Sequence, residues 1–143
     1  MKKIIGSVIA LILVCVIIAI FASGKDETLA GKIHTYCKEN ESIKLSEVTD
    51  FDWDIAYVDR EYYQAGKNLQ TQYGIQGKFE MLDSDNLIRI AFCKDNVLVY
   101  DMICNEEYIQ VDSKDGILER ETVLSTRYEV KGDDFATAYL IEE

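Results

Sequence analysis

Nineteen consecutive residues, Ile4–Ala22, carry no charge. As a helix they would measure roughly 28 Å, close to the roughly 30 Å of a bilayer core. A run that is apolar all round has no polar stripe to turn toward water, so it does not suit a helix of a small globular core. Lys2 and Lys3 precede it, and basic residues stay on the cytoplasmic side, which sends the rest of the chain outward. A retained anchor is favoured over a signal peptide, whose apolar stretch spans about 7–15 residues. Cleavage near Gly24 is the alternative, since Ala22-Ser23-Gly24 supplies small residues. Cys15 follows Ile12-Leu13-Val14 with no small residue directly before it, which argues against lipoprotein processing. The chain therefore divides into an anchor or signal segment, 1–24, and an extracytoplasmic domain, 25–143.

That domain is strongly acidic. Once Lys2 and Lys3 are set aside, 13 basic side chains face 26 acidic ones, a formal charge of −13. Such a surface repels phosphate backbones, so nucleic acid is excluded as a partner. Three cysteines fall in the domain, Cys37, Cys93 and Cys104, an odd number that cannot close a complete disulfide set within one chain. If Cys93 and Cys104 flank a hairpin turning near Asp95-Asn96, Cys93 faces about position 98. Cys104 then lies roughly 20 Å away, against the roughly 7 Å limit for a bridge. Cys37 could pair with either, and three buried free thiols are the simpler expectation.

Apolar residues at Leu29, Ile33 and Cys37 repeat at helical spacing over 27–40, with Asp26 as the expected cap. Ile43–Val48 alternates as a short strand. Phe51, Trp53, Ile55 and Tyr57 alternate with Asp50, Asp52, Asp54 and Ala56, a strand with one buried face. Asp59 is expected to cap a second helix carrying the stripe Tyr62, Ala65, Leu69 and Tyr73, which Gly74 ends. Leu87–Cys93 and Val97–Cys104 read as a hairpin, and the unbroken apolar run Val97–Tyr100 predicts a central strand covered on both faces. Strands at 108–112, 121–130 and 135–141 follow, with turns at Ser113–Gly116 and Gly132-Asp133-Asp134. The expected fold class is α+β: a mostly antiparallel sheet with two helices on one face, preceded by the N-terminal membrane or signal helix.

Motifs that carry chemistry are sparse. Asp50, Asp52, Asp54 and Glu61 occupy positions 1, 3, 5 and 12 of a calcium loop, but Ile55 stands where the sharp turn needs glycine. A solvated strand face explains the aspartates more simply. His34 and Cys37 sit three apart on a helix, yet two ligands do not make a metal site, and His34 is the only histidine. No nucleophile elbow, paired-histidine motif or phosphate loop occurs, so no catalytic residue and no cofactor is assigned. Asn40-Glu41-Ser42 matches the glycosylation triplet, which matters only in a eukaryotic secretory pathway. Tyr62 and Tyr63 are adjacent on the expected helix and cannot both point inward, which makes them the candidate binding residues.

Val48-Thr49-Asp50-Phe51-Asp52-Trp53-Asp54, followed by Tyr57-Val58 and Tyr62, resembles a segment of small bacterial exported proteins of no known activity. The likeness spans about residues 43–104, and its specific part is the Phe51-x-Trp53-Asp54-x-x-Tyr57 core. This chain lacks the proline that such proteins carry ahead of the helix tyrosine. The resemblance implies a bacterial envelope setting and a small α+β domain, with no substrate and no catalytic residue.

The leading expectation is a non-enzymatic, membrane-tethered module that binds a protein or another envelope component. Two alternatives are a carboxylate-dependent hydrolase acting on cell-wall glycan and a divalent-cation binder. The topology is directly testable. Alkaline phosphatase fused after Glu143 should be active in a bacterial host, and an inactive fusion would reject the outward orientation. Retention of the protein in membranes after a carbonate wash separates anchor from cleaved signal.

Overall fold

A computed structural model describes residues 28–143. The expected anchor or signal segment and the Asp26 cap lie outside the described residues. Thr28 caps the first helix, α1 (Leu29–Glu39), its hydroxyl accepting the Gly31 amide at 3.2 Å. Leu29, Ile33 and Cys37 are its buried face, as the spacing predicts. Among the described residues no helix is long and apolar enough to cross a membrane.

Eight strands form two four-stranded sheets, not the single sheet expected. Their ranges are β1 (Ser42–Lys44), β2 (Ile55–Asp59), β3 (Leu87–Lys94), β4 (Val97–Asn105), β5 (Ile109–Asp112), β6 (Ile117–Glu119), β7 (Val123–Val130) and β8 (Ala136–Ile141). The first sheet has the order β1-β7-β8-β5 and the second β4-β3-β2-β6. All pairings are antiparallel except β5 with β8. The chain leaves the second sheet after β4, returns to it for β6, and ends in the first.

The larger core lies between the sheets and includes Ile33 of α1, Trp53, Ile88, Ile90 and Phe92 of β3, and Leu140 of β8. The opposite face of β3 presents Ala91 and Cys93 to a smaller core under α2 (Lys67–Tyr73), with Leu69, Ile75 and Phe79. The first helix packs chiefly against β7 and β8 of the first sheet, and α2 covers the face of β3 turned away from the larger core. With both its faces covered, β3 shows the nearly continuous apolar run of a fully buried strand.

Four local expectations are corrected. The apolar run at Val97–Tyr100 belongs to an edge strand, with Val97, Val99 and Tyr100 each at least 40% exposed, and β3 holds the central place. The alternation at 50–54 is not a strand. Trp53 is fully buried and its indole donates to Thr49 Oγ1 at 3.0 Å, while Asp54 is bonded at the end of the hairpin through Cys93 and Asp95. Ring burial alone imposes the period of two there. The short strand expected at Ile43–Val48 stops at Lys44, and a 3₁₀ turn, Leu45–Glu47, follows. The second helix begins at Lys67 and not near Asp59, because Asp59 is buried at the end of β2 and Gly66 opens the helix with φ +68°. A Cβ at Gly66 would also overlap the Phe79 ring.

The hairpin turn is read correctly. Asp95 and Asn96 both have positive φ, the backbone a two-residue turn of this hand requires, and Cys93 pairs with Leu98. Cys104 faces Ile88, far from Cys93, and all three cysteines are free thiols. Burial pushes Cys37 and Cys93 up to about 11 and Cys104 up to about 12. Raised values keep the thiols protonated near neutrality, so their thiolate fraction falls about a hundredfold or more below that of an exposed cysteine. In a full-length Cys15→Ser chain, disulfide-exchange reagents should label almost nothing at pH 7.5 and three thiols after unfolding. Fast labelling of the folded protein would contradict this packing.

Candidate binding surface

The residues expected to bind are brought to one place by a cation with no access to water. Arg89 faces outward from β3 toward the smaller core, yet its side chain is 0% exposed. Its Nε donates to Asp101 Oδ1 on β4 at 2.7 Å and its Nη1 to Asp59 Oδ2 at the end of β2 at 3.2 Å. Its Nη2 donates to the Glu80 carbonyl, and the guanidinium lies 5.2 Å from the centre of the Phe79 ring. Asp101 returns a contact by accepting the Glu80 amide at 3.4 Å. One planar fork thus ties three segments together: the end of β2, strand β4 and the irregular stretch before β3.

The loop 60–66 grows from that anchor. Asp59 Oδ1 accepts the Glu61 amide at 3.0 Å, an Asx turn that starts the loop. Arg60 is held by Glu106 and the Val111 carbonyl, which joins the loop to the first sheet. Glu61 accepts from the Asn68 side chain, and the Tyr63 amide donates to the Leu82 carbonyl at 2.8 Å. Tyr62 and Tyr63 project from this frame with 48% and 63% of their surface exposed, their rings 4.9 Å apart. Met81, the residue before Leu82, is 54% exposed. The Tyr63–Leu82 bond brings the segment that carries Met81 beside the tyrosine loop.

Tyr63 has φ +60° and Ala65 φ +43°. Left-handed backbone under a bulky side chain is an outlier that costs about 1–3 kcal/mol and persists only where the surroundings over-determine it. The sequence expects Tyr62 and Tyr63 on a helix, with Tyr62 in the stripe of Leu69 and Tyr73 and the two unable both to point inward; instead both precede the helix and both are exposed. Met81 and Arg89 are missed. Arg89 did leave a signal: an arginine inside Leu87-Ile88-Arg89-Ile90-Ala91-Phe92 requires acidic partners if that strand is central.

The four carboxylates at calcium-loop spacing do not converge. Asp50 approaches Lys32 at 3.9 Å, and Asp52 pairs with Lys94 at 3.4 Å and Arg120 at 3.5 Å. Asp54 Oδ2 accepts the Asp95 amide at 3.1 Å, and Glu61 turns to Asn68. Among the described residues no three His, Cys, Asp or Glu side chains stand where they could share a metal ion. His34 and Cys37 also diverge, Cys37 into the core and His34 Nε2 to the Ala136 carbonyl at 2.9 Å.

Removing a buried charge leaves its partners uncompensated. Arg89→Ala should destabilise the domain by about 3–5 kcal/mol in urea unfolding. Arg89→Lys should recover little, since a point charge cannot reproduce the fork. Near-normal stability of either variant would show that Asp59 and Asp101 do not depend on this cation. Set beside known protein families, curated proteins and solved structures, the chain matches none, so the likeness of its Val48–Tyr62 segment to small exported proteins rests on those residues alone.

Proposed function

We propose that this domain is a non-enzymatic binding module, held on the outer side of a membrane by residues 4–22, that contacts a protein or another envelope component through Tyr62, Tyr63 and Met81. The observation that carries this reading is the strained backbone beneath an exposed ring. A fold gains nothing internally from a tyrosine that is 63% exposed at φ +60°, where glycine or asparagine would sit without strain. Rigid aromatic side chains and methionine are the residues that concentrate contact energy at interfaces. The Arg89 fork beneath them supplies the preorganisation that makes such contact economical in entropy.

The glycan hydrolase and cation-binder alternatives draw no support from Asp50, Asp52, Asp54 or Glu61, because the fold already engages each of them. The test separates function from stability. Tyr63→Gly should leave the unfolding free energy unchanged or raise it by up to about 1 kcal/mol, since relief of left-handed strain offsets glycine's extra chain entropy. The same variant, and Tyr62→Ser with it, should lose the component that the wild-type chain captures from envelope extract after crosslinking. Capture unchanged in both variants would reject this surface. A Tyr63→Gly protein that unfolds would show the ring to be structural instead.

A further inference from the structure

We propose that a recess beside His34, which shares no lining residue with the Tyr62–Tyr63 surface, binds a small ligand carrying an alkylammonium group, independently of that surface. The recess has a volume of about 340 Å³, and its walls come from α1 (His34), the approach to β5 (Tyr108), β7 (Tyr128) and the β7–β8 turn (Asp133, Asp134 and Phe135). His34 stacks on Tyr108 with centroids 4.0 Å apart and planes 9° apart, and meets Tyr128 edge-on at 5.0 Å. A carbonyl only accepts, so His34 Nε2, 2.9 Å from the Ala136 oxygen, carries a hydrogen. The ring is fixed by partners on three elements. Four ring systems thus line one concavity, and Phe135 stands 38% exposed at its mouth.

Ring faces carry negative potential and attract cations, alkylammonium ions above all. The charges at the mouth have the matching sign. Asp133 and Asp134 oppose the single ammonium of Lys38, and among the described residues neither aspartate is held in an ion pair. The formal charge of −13 outside the N-terminal segment concentrates cations further and disfavours anions. A trimethylammonium or aminoalkyl group in the recess would meet its aromatic lining and the two carboxylates.

The test uses the full chain in a maltoside detergent, followed by amide NMR. Choline should shift the Gly132–Ala136 amides saturably, with a dissociation constant on the order of 1 mM. Its uncharged isostere, 3,3-dimethylbutanol, should shift none of them. Asp133→Asn with Asp134→Asn should weaken choline by about threefold to tenfold, and Lys38→Gln should tighten it by about twofold to threefold. Phe135→Ala should weaken it by about threefold or more. All four residues are exposed, so these variants keep the fold, which the spectrum itself checks. Glycerophosphocholine carries the same cation beside a phosphodiester. Tighter binding than choline would assign a lipid-derived headgroup, weaker binding a free amine. The proposal is overturned if choline gives no saturable shift, if the uncharged isostere binds equally well, or if choline affinity ignores both charge variants.

Discussion

The outer layer of this domain depends on one guanidinium that no water reaches. Burying an unpaired cation would cost several kcal/mol even after relaxation, so Arg89 is tolerable only with Asp59, Asp101 and the Glu80 carbonyl in place together. The site holds one cation and two carboxylates, and each carboxylate also accepts a backbone amide, Glu61 for Asp59 and Glu80 for Asp101. Those amides absorb part of the excess negative charge. The interaction selects a conformation more than it adds stability, since apolar residues of similar volume could fill the space at comparable free energy. What they could not do is dictate that β2 ends at Asp59, that the chain then turns out of the sheet, and that the stretch before β3 folds back over it.

Strand β3 shares that role through packing. Ile88, Ile90 and Phe92 face the space between the sheets, while Arg89, Ala91 and Cys93 face the smaller core under α2. One strand therefore serves as the wall of two cores. A chain of this size can divide its apolar residues so finely because the strand at the wall is almost wholly apolar and its one buried charged side chain is satisfied in place. Acidic residues are left for the periphery, where most are solvated or matched with lysine and arginine.

Legibility in the sequence tracks whether a signal is local. The hairpin from Leu87 to Asn105 is legible because Asp95-Asn96 sets its turn and the register beside it, which a bulge then shifts by one between Phe92 and Cys93. The first helix is legible from Leu29, Ile33 and Cys37, and Gly74 marks the end of the second with φ +67°. Period-two alternation at 51–57 misleads, because Phe51 and Trp53 pack from an irregular segment, Phe51 stacked on Tyr100 and Trp53 edge-on to Phe92. The run Val97–Tyr100 misleads in the opposite sense, apolar yet at an edge. Neither the split into two sheets nor the return of β6 beside β2 has a local signature. The Asp59 error follows from the same cause: aspartate is a sound helix cap by propensity, and only a buried arginine 30 positions later withdraws it.

Of the candidate surface, then, it is legible that two adjacent tyrosines cannot both be buried, and the strained frame beneath them is not. Three residues within four, Tyr63, Ala65 and Gly66, have positive φ, and two of them lack glycine's freedom. At about 1–3 kcal/mol each, those two would not hold their shape in an isolated peptide. Hydrogen bonds to charged groups contribute about 1.5–3 kcal/mol apiece, and Arg89 donates three, with the Glu61–Asn68 and Tyr63–Leu82 bonds added at the loop itself. The opposing terms are of similar order, so the loop keeps its strained shape only while the anchor is complete. Rigidity is what an exposed tyrosine pair needs in order to bind without losing rotamer and backbone freedom at the moment of contact. If the tyrosine pair binds as proposed, the buried arginine and the exposed rings are two ends of one device, the first fixing the geometry that the second would use.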